Sequence, residues 1–121
     1  MLNIFASSND VLENEKEDLF INFQKNNRPS GLSYIKDHTM DYLFEALKDD
    51  VLAANEETKI VIKSIEANVV DIEGKGSSKV GSVHYQAVIL VDGIEEFIDE
   101  MWHFQYSGWN WKLAGIEQFA E

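Results

Sequence analysis

Two stretches near the end of the chain alternate aromatic with polar residues. Glu100, Trp102, Phe104 and Tyr106 occupy every second position of one; Trp109, Trp111, Leu113 and Gly115 do so in the next. Strand side chains repeat every second residue, so each set lies on one strand face. Ser107-Gly108 between them is a turn dipeptide of the kind that closes a two-residue hairpin loop. In that register Tyr106 faces Trp109, Phe104 faces Trp111, Trp102 faces Leu113, and Glu100 faces Gly115. Three aromatic-rich pairs, each worth roughly 0.2–1 kcal/mol over Ala–Ala, fix the register and build an apolar wall. Glu100 is the single carboxylate on that wall, opposite the one residue without a side chain, which reads as room kept for something. Other elements must cover the wall, because burying it gives the larger hydrophobic gain.

Those covering elements come first in the chain. Asp10-Val11-Leu12-Glu13 resembles a capping box, so residues 1–9 are expected as a flexible lead and a helix from there to about residue 26. Leu12, Leu19 and Phe23 fall at helical spacing, with Phe20 beside them, and Asn27 to Gly31 ends the helix. Leu32, Tyr34 and Ile35 mark a short helix or turn. A second long helix is predicted over 39–54, with Met40, Leu43, Phe44, Leu47 and Val51 on one stripe. Strand-rich runs follow at 59–73, 80–91 and 94–106, then a last strand to about residue 119. Asp92-Gly93 is among the strongest hairpin signals. The expectation is one α+β domain, 1–121: N-terminal helices packed on one face of a four-stranded antiparallel meander.

With Asp92-Gly93 as the loop, Ala87 faces Ile98, Tyr85 faces Glu100 and Val83 faces Trp102. A pocket between sheet and helices is then lined by Tyr85, Glu100, Trp102, Phe104, Trp111 and Leu113. The opposite sheet face carries Val88, Phe97, Met101, Ala114 and Ile116 among His84, Gln86 and His103. That is too apolar for a wholly solvated face and too polar for a core. Partial cover is expected, by a second copy, a partner chain or the N-terminal segment.

The run Glu100-Met101-Trp102-His103-Phe104, followed after a turn by Trp111-Lys112-Leu113-Ala114-Gly115-Ile116-Glu117-Gln118, resembles the closing hairpin of the Tim forty-four-like domain. That family is named for a peripheral subunit of the mitochondrial inner-membrane protein import machinery and has bacterial members. Its pattern, Glu-x-Trp-x-Phe then Trp-x-Leu-x-Gly-Ile and a Gln, is matched at Glu100, Trp102, Phe104, Trp111, Leu113, Gly115, Ile116 and Gln118. The resemblance implies a strongly curved, cone-like sheet, as in the wider nuclear-transport-factor-two-like superfamily. It also implies a non-catalytic adaptor or tether in protein transport at a membrane. The location it implies is the bacterial cytoplasm, peripheral to the inner membrane, or alternatively the mitochondrial matrix. Family members commonly carry an N-terminal membrane segment or targeting sequence, so the resemblance also allows this to be the C-terminal part of a longer chain.

The net charge of −12 bears on partners. Both halves share it: residues 1–57 hold 12 acids against 5 bases, and residues 58–121 hold 10 against 5. The average field repels nucleic acid and gives no strong attraction to an anionic membrane. Surface acids that simply keep a domain soluble are the plainer reading. No cysteine is present, so thiolate metal sites and thiol nucleophiles are unavailable. Both strand histidines, His84 and His103, fall with Asp99 on the outer face, away from the pocket. There they read as polar surface residues rather than as a metal site. His38 reads as a turn residue. Neither a phosphate loop, a serine-nucleophile motif nor a pair of catalytic carboxylates is found, so no catalytic residue, cofactor or metal is assigned.

Glu100 keeps two readings. In one it is a structural carboxylate held by Tyr85 and by backbone or indole donors, since an unpartnered buried charge costs several kcal/mol. In the other it is a pocket acid that binds a ligand or acts as a base. The first leads to a non-catalytic module binding an apolar ligand, a lipid or a protein segment. The second leads to an isomerase or hydratase of the wider superfamily, with Glu100 as base and Tyr85 as hydrogen-bond donor.

Overall fold

The computed structural model describes residues 7–119, in which three helices lie against one face of an open, antiparallel four-stranded sheet. Helix α1 spans Ser8–Asn26, α2 Leu32–His38 and α3 Asp41–Ala53. The strands β1 (Ile60–Glu73), β2 (Val80–Val91), β3 (Ile94–Tyr106) and β4 (Trp111–Gln118) pair in the order β1-β2-β3-β4. This is the expected α+β meander with its helices on one side.

Helix α1 starts earlier than a cap at Asp10 predicts. Ser7 is the N-cap, its hydroxyl accepting the Asp10 N–H at 3.2 Å. Ser and Asp cap about equally well. The earlier start brings Ser8 over β4, where its carbonyl accepts the Trp111 indole N–H at 2.8 Å. Residues 8 and 9 of the expected lead are therefore helical, while 1–6 lie outside the described residues. Leu12, Leu19, Phe20 and Phe23 form the buried stripe of α1. Burying side chains of this kind contributes roughly 1.5–3 kcal/mol each. Lys16 falls in the same stripe and is also buried, its ammonium reaching the Glu13 carbonyl at 2.8 Å and carboxylate at 2.6 Å. Its aliphatic stem packs while its charged end finds acceptors at the rim. Strand β2 passes close under α1 at Gly81, where a Cβ would run into the Leu12 side chain and the Trp111 ring.

The short helix α2 leads into α3 through Thr39, which is wholly buried and donates its hydroxyl to the Ile35 carbonyl at 2.7 Å. The next N–H, of Met40, donates to Leu113 O at 2.8 Å and pins this junction to β4.

The β2–β3 register is the expected one, with Tyr85 opposite Glu100 and Val83 opposite Trp102. Asp92 at φ 51° and Gly93 at φ 83° supply the left-handed pair that such a turn requires. The β3–β4 hairpin differs from expectation. Its loop is the four residues 107–110, closed by Ser107 N–H donating to Asn110 O at 2.8 Å. Tyr106 pairs with Trp111 and Phe104 with Leu113; beyond them a bulge at Ala114 leaves Trp102 opposite Ile116 and Glu100 opposite Gln118. Up to the bulge the slip is two residues, and an even slip keeps every side chain on its face. Trp102, Phe104, Trp111 and Leu113 thus all point to the helices and are buried, as expected. Past the bulge, the extra residue reverses the parity. Ile116 and Gln118 turn inward, Glu117 turns outward, and Gly115 lies opposite His103. The expected placement of Ile116 on the outer face, and of an empty space opposite Glu100, is corrected accordingly. Trp109 leaves the ladder and does not face Tyr106; it is 80% exposed on the turn.

Candidate functional site

Glu100 and Trp102 project from β3 toward the helices, two residues apart on one face. The Trp102 indole N–H donates to Glu100 Oε1 at 2.9 Å, and the Gln118 side-chain amide donates to Oε2 at 3.2 Å. Both carboxylate oxygens are thereby engaged by neighbours on the sheet itself. Beside them a cleft of about 240 Å³ opens between α1, α3 and the β3–β4 hairpin. Its apolar walls are Phe23, Leu47, Val51, Trp102, Leu113 and Ile116, with Gln24, Asn27, Asp50 and Glu100 also at its edges. Pockets for drug-sized ligands run from about 300 to 1,000 Å³, so this one fits a side chain or a short alkyl tail.

Of the six expected pocket residues, Glu100, Trp102 and Leu113 line the cleft, whereas Tyr85, Phe104 and Trp111 do not. Tyr85 and Phe104 are 0% exposed beneath α1. The Tyr85 ring stacks on Phe20 at 4.9 Å and meets Trp102 edge-on at 5.0 Å. Its hydroxyl donates not to Glu100 but to the Lys16 carbonyl at 2.7 Å, because α1 crosses β2 at that point. Burial pushes the phenol well above its ordinary value, and the Glu17 carboxylate adds to the shift. Tyr85 is therefore a neutral strut between helix and sheet. Trp111 anchors the start of α1 and borders a different concavity.

That second concavity is an open groove of about 870 Å³ between α1, α2 and the β3–β4 turn. Tyr34 and His38 form one wall, their rings stacked at 3.9 Å, with Trp109 and Trp111 also lining the groove. His38 closes α2 rather than standing unpartnered in a turn: its Nδ1 lies 2.8 Å from the Tyr34 carbonyl. A carbonyl can only accept, so Nδ1 carries the proton and Nε2 is the free position. The Phe23–Tyr34 edge contact, at 5.5 Å, stands between the cleft and the groove. Nothing in the alternation of residues 100–115 pointed to this groove. The available signal was Ser107 and Asn110 bracketing the loop, since both side chains favour turns of their own.

On the outer sheet face each histidine has its own partners. His84 Nε2 meets Asp99 Oδ1 at 2.6 Å, while His103 sits between Ser82 Oγ at 2.7 Å and Glu117 Oε1 at 3.1 Å. Among the described residues, no group of three or more His, Asp or Glu is placed to hold a metal ion. Among them, too, no helix is long and apolar enough to cross a membrane. Fold and site define an α+β helix-on-sheet domain with a small, mainly apolar cleft and a larger groove of mixed lining. No family model, curated protein or solved structure matches the chain.

Proposed function

We propose that this chain is a non-catalytic binding or tethering module of the Tim forty-four-like kind, whose Glu100 cleft takes an apolar side chain or alkyl tail. The observation that carries this reading is the state of Glu100. Both of its oxygens accept hydrogen bonds from Trp102 and Gln118, which are the Trp and Gln of the motif that prompted the resemblance. A base also needs a second polar group converging on its substrate, and the Tyr85 hydroxyl that would serve as one is spent on the Lys16 carbonyl. The carboxylate ties the hairpin's two strands together at the edge of a small cleft with mainly apolar walls. The order of elements, helices then meander, is the order the resemblance implies.

On this reading the module works in the bacterial cytoplasm, peripheral to the inner membrane, or in the mitochondrial matrix. A net charge of −12 disfavours direct contact with anionic headgroups. Attachment then runs through a partner protein, or through a single apolar tail seated in the cleft.

The test is thermal unfolding with octyl glucoside added below its micelle concentration. The neutral alkyl chain should raise the melting temperature of the wild type and of Glu100→Gln alike. Leu47→Phe, which fills the cleft wall, should abolish the shift. A shift lost in Glu100→Gln but kept in Leu47→Phe would overturn this reading in favour of an isomerase or hydratase using Glu100 as base. The absence of any shift in the wild type would remove the cleft as a binding site.

A further inference from the structure

We infer that the open groove between α1, α2 and the β3–β4 turn docks a basic, extended segment of a partner protein, with a Lys or Arg side chain laid on the Trp109 indole. Three observations on different elements support it. The first is the indole itself. Trp102 and Trp111 are 2% and 3% exposed, whereas Trp109 is 80% exposed. The turn that carries it is closed on itself, because the Ser107 hydroxyl donates to Asn110 O at 2.9 Å and accepts the Asn110 N–H at 3.2 Å. A large aromatic face exposed to solvent at the edge of a groove is a recognition feature.

The second observation is the wall provided by α2. The stacked rings of Tyr34 and His38 give the groove another flat aromatic surface, and the imidazole Nε2 is an acceptor when neutral.

The third is charge. Glu15, Asp18, Asp37 and Asp41 line the groove against only Lys36 and Lys112. Among the described residues none of these four carboxylates takes part in an ion pair. Aromatic faces beside unpaired carboxylates select cations, by cation–π attraction and charge-assisted hydrogen bonds.

The class of occupant follows from size and sign. A small quaternary ammonium requires an enclosing cage, and this groove is open and holds about 870 Å³. That is room for several residues of an extended chain. Nucleic acid and anionic lipid carry the wrong sign, and a second copy of this chain brings a net charge of −12 with it. The groove shares no lining residue with the Glu100 cleft, so this inference and the cleft reading can fail separately.

The experiment is isothermal titration of the full chain with a capped decapeptide of alternating Arg and Ala, and with its Glu-for-Arg counterpart. The Arg peptide should bind, more weakly as salt is raised, and the Glu peptide should not. Trp109→Ala should weaken binding about tenfold without lowering the melting temperature. Asp18→Asn with Asp37→Asn should weaken it at least as much. Glu66→Gln with Glu73→Gln, on the far strand β1, removes the same charge and should change affinity less than about twofold if the site is local. The inference is overturned if the Arg peptide does not bind or if Trp109→Ala binds like the wild type. It is equally overturned if the β1 pair loses as much as the groove pair, since binding would then reflect only the overall field.

Discussion

The two hydrogen bonds to Glu100 come from donors of unequal worth. The Trp102 indole is buried and has no water to turn to, whereas the Gln118 amide is exposed. Glu100→Ala therefore strands one buried N–H and should cost about 1–3 kcal/mol. Glu100→Gln keeps an acceptor for the indole and should cost less than about 1 kcal/mol. Urea unfolding of both variants at pH 7 measures the difference. Tyr85 makes a contrasting case, in which the neutral form of the group is the one that matters. Burial raises its pKa above the ordinary 10.0, so the folded chain keeps a proton that the unfolded chain releases. The stability this contributes is full below pH 10.0 and is lost as the pH climbs toward the raised folded value. Tyr85→Phe should cost about 1 kcal/mol at neutral pH through the bond to Lys16. Its stability should then fall less steeply than that of the wild type between pH 9 and 11, the difference in slope approaching that of one proton only above pH 10.

Two connections that lie far apart in sequence are tied together at the end of α1. Arg28 donates to the carbonyls of Glu56 at 2.9 Å and Thr58 at 2.8 Å. The Ser30 N–H donates to Glu56 Oε1 at 2.8 Å, and the Ser30 hydroxyl donates to the other oxygen of the same carboxylate. The Ser30 hydroxyl and then its N–H hold the Glu56 pKa below the ordinary 4.5. A lowered pKa contributes stability above 4.5 that disappears as the pH falls through the folded value. Glu56→Gln should therefore match the wild type more closely at pH 3 than at pH 7 in urea midpoints. Of the two hairpins whose register was predicted, only β2–β3 was legible in full. Asp92-Gly93 tolerates one turn geometry, and that turn dictates the pairing. For β3–β4 the alternation of aromatic residues constrains only parity, so a pairing displaced by two residues satisfies it equally well. The bulge at Ala114 was hidden because Ala114-Gly115 carries almost no side chain to mark a face. The inward set Trp102, Phe104, Trp111 and Leu113 was thus readable, while the partner of Glu100 was not. Which of those residues sit under α1 and which line a cleft depends on where the helix crosses the sheet. Strand periodicity says nothing about that.

At the scale of the molecule, the sheet's outer face carries Phe97, Val61 and Phe119 at 78%, 52% and 42% exposed, with half-buried Val88 and Met101 between them. We propose this face as the surface for a second copy, opposed by a net charge of −12 on each chain. Salt screens the repulsion and leaves the apolar attraction intact. Sedimentation equilibrium should accordingly show more dimer at 0.5 M than at 0.05 M sodium chloride, the difference being that between Debye lengths of about 4 and 14 Å. Phe97→Ser should suppress it at both. A monomer at every salt concentration, at protein concentrations near 0.1 mM, would leave the face without a partner of its own kind.

The placement of the three tryptophans also divides the protein's light emission in two. Two indoles sit at 2% and 3% exposure and one at 80%, so the folded chain emits from a dry pair and a wet singleton at once. A soluble quencher reaches only the singleton, and around an acidic molecule caesium accumulates while iodide is excluded. Caesium should therefore extinguish the red edge of the spectrum and leave the blue edge intact. The turn at residues 107–110 then carries its own optical reporter, readable without attaching a dye.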